Sequence, residues 1–250
     1  MRVAGIIPAR FSSSRFAGKA LAPIRGKTLI RHVYERALSS PCLNELLVAT
    51  DDSRISQEVV GFGGKAVLTS PRHRCGTERV AEVAGGLDAD IVVNIQGDEL
   101  LSDGRMVDEC VSALCEKPSA DSSTLAAEIT EESEIISPNV VKVVTDLSGN
   151  ALFFSRSPIP NTQYSSGSDL QVSFWKHIGI YAFRRDFLLR FVELSQTPLE
   201  LAESLEQLRI LEHGGRMAVA VTSHSSVSID VPSDLERATL FLESLEKAST

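Results

Sequence analysis

The sequence predicts an α/β fold: a doubly wound, mostly parallel sheet with an antiparallel excursion in the second half of the chain. Three observations predict it. Short apolar runs alternate with amphipathic stretches up to about residue 120. Closely spaced strands with few helices between them follow, and helical periodicity returns towards the C-terminus. A β-α-β-α order whose strands are continuous apolar runs indicates a parallel sheet covered on both faces.

Taken in order, Val3–Ile7, Leu46–Thr50, Ala66–Leu68 and Ile91–Ile95 read as buried parallel strands, the first breaking at Pro8. Between and after them, Thr28–Leu38, Ser53–Phe62, Thr77–Ala84 and Ser102–Cys115 have helical amphipathic spacing. Asp52 or Ser53, Thr77 and Ser102 are placed to cap these helices. Leu125–Ile129, Val140–Thr145, Ala151–Phe154 and His177–Phe183 are the later strands, with Asp146-Leu-Ser-Gly149 as a hairpin turn. Residues 157–173, rich in Ser, Pro, Asn and Gly, form the longest loop, a length typical of lids or mobile segments. Helices over Arg184–Glu193 and Leu199–His213, a strand over Met217–Val221 and a helix over Ser233–Lys247 complete the chain. No repeat or linker divides it, so residues 1–250 read as one domain, with about 120–183 as the antiparallel excursion.

Composition narrows the function classes. The chain is 43% hydrophobic and carries a net charge of −8, so no basic field exists to hold nucleic acid. No apolar stretch approaches the roughly 20 residues of a membrane helix, and the N-terminus lacks a signal peptide's n- and h-regions. Cys42, Cys75, Cys110 and Cys115 form no Cys-x-x-Cys pair and no zinc spacing with His. Cys110 and Cys115 lie in a helical pattern and read as buried thiols; a reduced, cytoplasmic setting is the expectation.

Against this acidic background, the segment after the first strand stands out. Arg10, Arg15 and Lys19 lie among Ser and Gly, with no carboxylate in the loop to balance them. Short basic loops are commonly solvated surface. Here, the position after a strand of the sheet and the free amides around Ser12–Ser14 and Gly18 also suit an anion such as a triphosphate. The segment matches neither the Walker loop nor the dinucleotide fingerprint.

Acidic partners occur at two strand ends. Val93-Asn-Ile-Gln-Gly-Asp-Glu99 is an apolar strand running into Asp98 and Glu99. It reads as a turn with a solvated Glu, or as a carboxylate site for Mg²⁺, which takes one or two carboxylates together with phosphate oxygens and water. Asp230 ends another strand before Pro232 and Ser233, too early to serve as the cap of the last helix, and pairs naturally with Asp98. Cys75-Gly-Thr-Glu-Arg79 is either a helix start or a pocket wall, with Gly76 allowing close backbone approach to a base. Arg156 interrupts an apolar strand, His177 and Tyr181 share a strand face, and Glu206-Gln207 lies on an amphipathic helix.

These motifs in this order resemble the sugar-acid cytidylyltransferases, and within them the branch acting on 3-deoxy-manno-octulosonate (Kdo). The resemblance rests on Ile6-Ile-Pro-Ala-Arg-Phe-Ser-Ser-Ser-Arg15 with Gly18-Lys19, Val48-Ala-Thr-Asp51, Gly76-Thr-Glu-Arg79, Asn94-Ile-Gln-Gly-Asp-Glu99, Phe154-Ser-Arg156, His177-Ile-Gly-Ile-Tyr181, Leu205-Glu-Gln-Leu-Arg209 and Asp230-Val-Pro-Ser-Asp-Leu-Glu236. It spans residues 3 to about 240. The chain departs from the family's pattern at Ala17 and Leu100, where the family usually has Pro.

The resemblance implies a nucleotidyltransferase-type fold and a Mg²⁺-dependent reaction: CTP plus Kdo gives CMP-Kdo and diphosphate, for lipopolysaccharide assembly. It implies a homodimer, with the excursion after residue 120 as interface. Carried over by position, Pro8, Ala9, Arg10, Ser14, Arg15, Lys19, Cys75, Gly76 and Thr77 would hold the nucleotide. Arg10, Arg15, Lys19 and Asp98 would be catalytic, and Asp98 and Asp230 would hold the metal. Arg79, Gln96, Arg156, His177, Tyr181, Glu206 and Gln207 would line the sugar-acid pocket, the acid's carboxylate held by Arg or His. No side chain stands out as a dedicated base. A cytidylyltransferase for another acidic sugar and a catalytically silent nucleotide-binding module are the competing readings, while an oxidoreductase lacks its glycine fingerprint.

Overall fold

The computed structural model describes residues 1–12, 15–162 and 172–248. Strands β1 (Val3–Ala9), β2 (Pro23–Ile24), β3 (Lys27–Thr28), β4 (Glu45–Thr50), β5 (Ala66–Leu68), β6 (Ile91–Ile95) and β7 (Glu99–Leu101) precede β8 (Ser122–Glu128), β9 (Lys142–Thr145), β10 (Ala151–Ser155), β11 (Trp175–Arg184), β12 (Met217–Val221) and β13 (Ser226–Ser228). The helices are α1 (Leu29–Leu38), α2 (Ser53–Gly61), α3 (Gly76–Gly85), α4 (Arg105–Glu116), α5 (Glu132–Ile136), α6 (Arg185–Phe191), α7 (Pro198–Glu203), α8 (Gln207–Glu212) and α9 (Asp234–Ala248), with a single 3₁₀ turn at Lys19–Leu21 among the described residues.

The main sheet runs β10-β9-β11-β6-β1-β4-β5, with β8 joining β11 to β12. β6, β1, β4 and β5 pair in parallel, whereas β11 lies antiparallel to β6, β8 and β9. The parallel half and the antiparallel excursion are therefore both present. Strand alternation creates the two faces. Ile7, Val48 and Val93 enter one core with α1 and α4, while Ile6, Ala49 and Val92 enter the other with α3, α6 and α8. No helix among the described residues is long and apolar enough to cross a membrane.

Four local expectations need correction. β1 continues through Pro8, which pairs with Ala49 beyond the point where the ladder to β6 has ended at Ile6, so the missing N–H interrupts nothing there. The helix predicted over Leu199–His213 is two helices, because Ser204 takes the left-handed conformation (φ 52°) and closes α7. Asp52 caps α2 through the amide of Arg54 (2.9 Å), as read, but Thr77 lies inside α3 and Gly104 occupies the cap position of α4 in place of Ser102. Cys110 is buried and Cys115 exposed. Of the long loop at 157–173, residues 163–171 lie outside the described residues, as does Ser14.

Candidate active site

β1 sits between β6 and β4, so the sheet order reverses beside it and a crevice opens at the carboxyl ends of β1 and β6. Pro8, Ala9 and Arg10 line it from β1, and Arg15 and Lys19 from the loop that follows. The start of α3 contributes Cys75 and Gly76, and the end of β6 contributes Gln96, Gly97 and Asp98.

The cations of the loop meet carboxylates that arrive from elsewhere in the chain. Lys19 Nζ donates to Asp98 and to the carbonyl of Ile229 (3.1 Å), and it stands 3.6 Å from Asp230 Oδ1. Arg15 donates to the same Asp230 oxygen at 2.8 Å. A short antiparallel ribbon makes this possible. β7 pairs with β13, Leu100 facing Val227, and the Ile229 amide donates to Asp98 O (2.9 Å). The residues that follow β6 and β13 are thereby held side by side. Leu100 is fully buried, so it anchors the ribbon by packing where proline would act by backbone restriction. Arg10 remains exposed and forms no ion pair among the described residues.

Two neighbours tune this cluster. Glu99 is turned inward: burial, opposed by a hydrogen bond from Ser226 and reinforced by the charges of Asp98 and Asp230, pushes its carboxyl up to about 7. The solvated Glu considered from sequence is thus a buried one. Gly97 is required by proximity, since a Cβ there would lie 2.7 Å from the Pro8 carbonyl oxygen. Gly97→Ala is expected to displace Asp98 from Lys19, lowering kcat/KM at least about tenfold and stability by about 1–3 kcal/mol. Steady-state kinetics with a thermal melt checks this, and unchanged kinetics would refute it.

On the far side of Gln96, polar groups form a chain across the sheet. Gln96 Nε2 donates to Asn94 Oδ1 (3.3 Å), Asn94 Nδ2 to Thr77 Oγ1 (3.1 Å), and Thr77 Oγ1 to Glu206 (2.9 Å). Cys75 Sγ donates to the other Glu206 oxygen at 3.1 Å. Burial raises Glu206 above the usual carboxylate range, partly offset by these two donors and by Arg209. Burial and the Glu206 charge push the Cys75 thiol up to about 12, so it donates a hydrogen bond and is not a nucleophile. Tyr181 is likewise pushed upward by burial and by Glu206 and Glu99.

His177 packs against Tyr181 at a tilt, with ring centroids 5.3 Å apart, and edge-on against Phe154 at 5.1 Å. Burial lowers its pKa to about 3. The Thr124 hydroxyl donates to Ile180 O (2.7 Å) and therefore accepts from His177 Nε2 (2.9 Å), which leaves the lone pair on Nδ1. A neutral ring with an acceptor nitrogen suits a hydroxyl. It does not supply the charge expected from sequence for holding a carboxylate. Below its ordinary value near 6.5 the unfolded chain protonates His177 and the folded one does not, so this residue makes stability fall as pH drops from about 6.5 towards 3. Thermal melts across that window should show a shallower fall for His177→Gln, and an unchanged slope would overturn the assignment.

A family model for cytidylyltransferases matches residues 4–221. The chain belongs to the cytidylyltransferase family. It is 49% identical over 247 residues to the 3-deoxy-manno-octulosonate cytidylyltransferase of Geobacter sulfurreducens, covering 95% of this chain and 98% of that protein. The namesake from Geotalea uraniireducens is 49% identical over 255 residues, covering 99% and 100%. A solved structure of CMP:2-keto-3-deoxy-manno-octonic acid synthetase complexed with CTP superposes with a TM-score of 0.90 at 39% identity, covering 98% of this chain and 99% of that one. The 4-diphosphocytidyl-2C-methyl-D-erythritol synthase of Anaerococcus prevotii shares the fold alone, with a TM-score of 0.61 at 14% identity, covering 97% of this chain and 98% of that one.

In this cytidylyltransferase the cleft gathers Arg15, Lys19, Asp98 and Asp230, while Gln96, Thr77, Cys75 and Glu206 form one polar chain with Tyr181 close by. Two expected sugar-acid residues are differently engaged. Arg79 is buried and its guanidinium is committed to Asp51 (2.8 Å) and Thr69, so its charge is already balanced. Arg156 bonds the carbonyls of Glu203 and Pro138, both at 2.9 Å, linking the end of β10 to α7; its guanidinium forms no carboxylate pair among the described residues. Gln207 Nε2 is buried without a partner among the described residues, a donor that a ligand acceptor would satisfy.

Sequence reading gave no role of their own to His73, Gly97 and Asn94, although all three lie in or beside motifs it singled out. His73 and Gly97 line the cleft, and Asn94 is its buried polar link. Asn94 carried a signal as the polar residue within the apolar run Ile91-Val-Val-Asn-Ile95, and Gly97 as the glycine between Gln96 and Asp98.

Proposed function

We propose that this cytidylyltransferase transfers a cytidylyl group from CTP to Kdo, giving CMP-Kdo and diphosphate. The observation that carries the reading is the meeting of Lys19 and Arg15 with Asp98 and Asp230 at the reversal point of the sheet, in a chain whose relatives bear that name. Arg10, Arg15 and Lys19 would take the triphosphate, with Lys19 offsetting the charge of the leaving diphosphate. Transfer at phosphorus depends on positioning and charge neutralisation more than on covalent help.

Asp98 and Asp230 fit Mg²⁺, because two carboxylates beside a phosphate site are the donor set this ion takes from proteins. The ion would supply neutralisation at the triphosphate and at the attacking oxygen. Gln96, Tyr181, Glu206, Gln207 and His177 would orient the sugar acid through hydrogen bonds. Arg156, whose guanidinium bonds only backbone carbonyls among the described residues, would supply the positive charge for its carboxylate. The anomeric hydroxyl would then attack the α-phosphorus in line. We further propose a cytoplasmic homodimer whose product enters lipopolysaccharide assembly.

A diphosphate-release assay with CTP across sugar acids tests this, and Kdo is expected to turn over fastest. Turnover confined to a nine-carbon acid would overturn the substrate. No turnover with any acid, despite CTP binding, would indicate a silent module.

A further inference from the structure

The turn that presents Lys19 has an unusual division of labour. Lys19 N bonds to Phe16 O (3.3 Å), making Ala17 and Gly18 the central residues of a turn, and Gly18 has φ 71°. Positive φ at the third position, with none at the second, marks a type II turn, which favours Gly at the third and Pro at the second, where this chain has Ala17. The restriction that proline would provide is absent from the chain itself.

It is supplied from outside the turn. The Gly18 amide donates to Phe11 O at 2.8 Å, and the Phe11 ring packs so closely on Gly18 that a Cβ would meet it at 3.0 Å. On Phe11 lies the guanidinium of Arg54, 3.4 Å from the ring centroid. That guanidinium is held flat by two hydrogen bonds to Asp52, at 2.9 and 2.6 Å, and Asp52 is itself the cap of α2. Ile55 and Val59 fix α2 in the core. Neither Phe11 nor Arg54 lines the cleft.

We propose that Arg54 and Phe11 are positioning residues: a clasp from α2 that holds the Ala17–Gly18 turn, and through it Lys19, in the conformation that receives the nucleotide. The kinetic part rests on the CTP reading above; the structural part does not. An exposed cation–aromatic contact of this kind biases an equilibrium about two- to five-fold. Hydrogen exchange of the Phe11–Leu21 segment is therefore expected to accelerate about two- to five-fold in Arg54→Ala. The KM for CTP should rise by a similar factor, with the KM for the sugar acid at saturating CTP unchanged. Ala17→Pro in the Arg54→Ala background should restore both, because it returns the restriction to the turn. A simple loss of packing at Arg54 would not be rescued at position 17. Unchanged exchange in Arg54→Ala, or failure of Ala17→Pro to restore it, would overturn the clasp. Exchange that responds as described in a protein showing no turnover of CTP would leave the clasp standing and remove the proposed reaction.

Discussion

Asp98→Ala should abolish transfer, lowering kcat/KM by at least about 10³-fold, the scale on which preorganised charge acts at a reacting centre. Asp98 is the carboxylate in direct hydrogen bond with Lys19, and its backbone carbonyl receives the Ile229 amide that draws Asp230 alongside. The substitution removes one of the two acids able to bind a cation and frees Lys19 to turn wholly to Asp230. Asp98→Asn, which keeps shape and loses charge, is expected to fail equally. Stability should change by less than about 2 kcal/mol, because the Lys19–Asp98 pair is partly exposed to solvent. Diphosphate release and a thermal melt on the same samples separate the two effects; activity within about tenfold of the parent would remove Asp98 from the machinery.

Arg209→Met should be the most destabilising of the changes considered. Arg209 and Glu200 form a two-point pair at 2.8 and 2.5 Å, with side chains only 3% and 7% exposed, and Arg209 also lies over Phe191. Removing one partner of a buried pair costs about 3–5 kcal/mol, roughly 10 °C in Tm for a chain of this size. The pH dependence has a definite sign. In the parent, burial pushes Glu200 up, but hydrogen bonds from Arg209 and the Thr197 amide outweigh it and hold the carboxyl below its ordinary value. Its contribution is present above about pH 4.5 and is lost as pH falls through the depressed value. Without Arg209 the carboxyl is buried and lacks that counter-charge, its pKa rises, and the deficit grows with increasing pH. Melts at pH 5 and pH 8 should show the smaller deficit at pH 5; a deficit independent of pH would contradict this account.

Much of the parallel sheet was legible because each strand is a continuous apolar run, and alternation such as Ile6 and Ile7 entering opposite cores is a local property. Failures occurred where distant contacts outweighed local signals. Thr77 has the chemistry of a cap, yet its hydroxyl is claimed by Glu206 across 129 positions of sequence. Leu205 and Leu208 continue a helical period through Ser204, so nothing local announced the break that lets Glu206 face Cys75. Glu99 looked solvated because the strand that buries it is only three residues long, too short to show alternation. The loop was read as lacking counter-charges, correctly within the loop, while Asp98 and Asp230 supply them from far along the chain. Arg79 looked like a pocket charge because Asp51, which neutralises it, belongs to a different motif.

The β7–β13 ribbon also fixes when the protein can become active during its own synthesis. The ladders joining β6, β1, β4 and β5 need no residue beyond 95. A ribosome-bound chain at that stage has the sequence of its basic loop and of four parallel strands but not Ser226–Asp230, and so lacks Asp230 and the strand that braces Asp98. Domain formation can begin during synthesis at the N-terminal end, whereas a contact spanning some 130 residues must await the arrival of its partner. Catalytic competence therefore awaits the residues from Ser226 to Asp230, long after the parallel strands have been made.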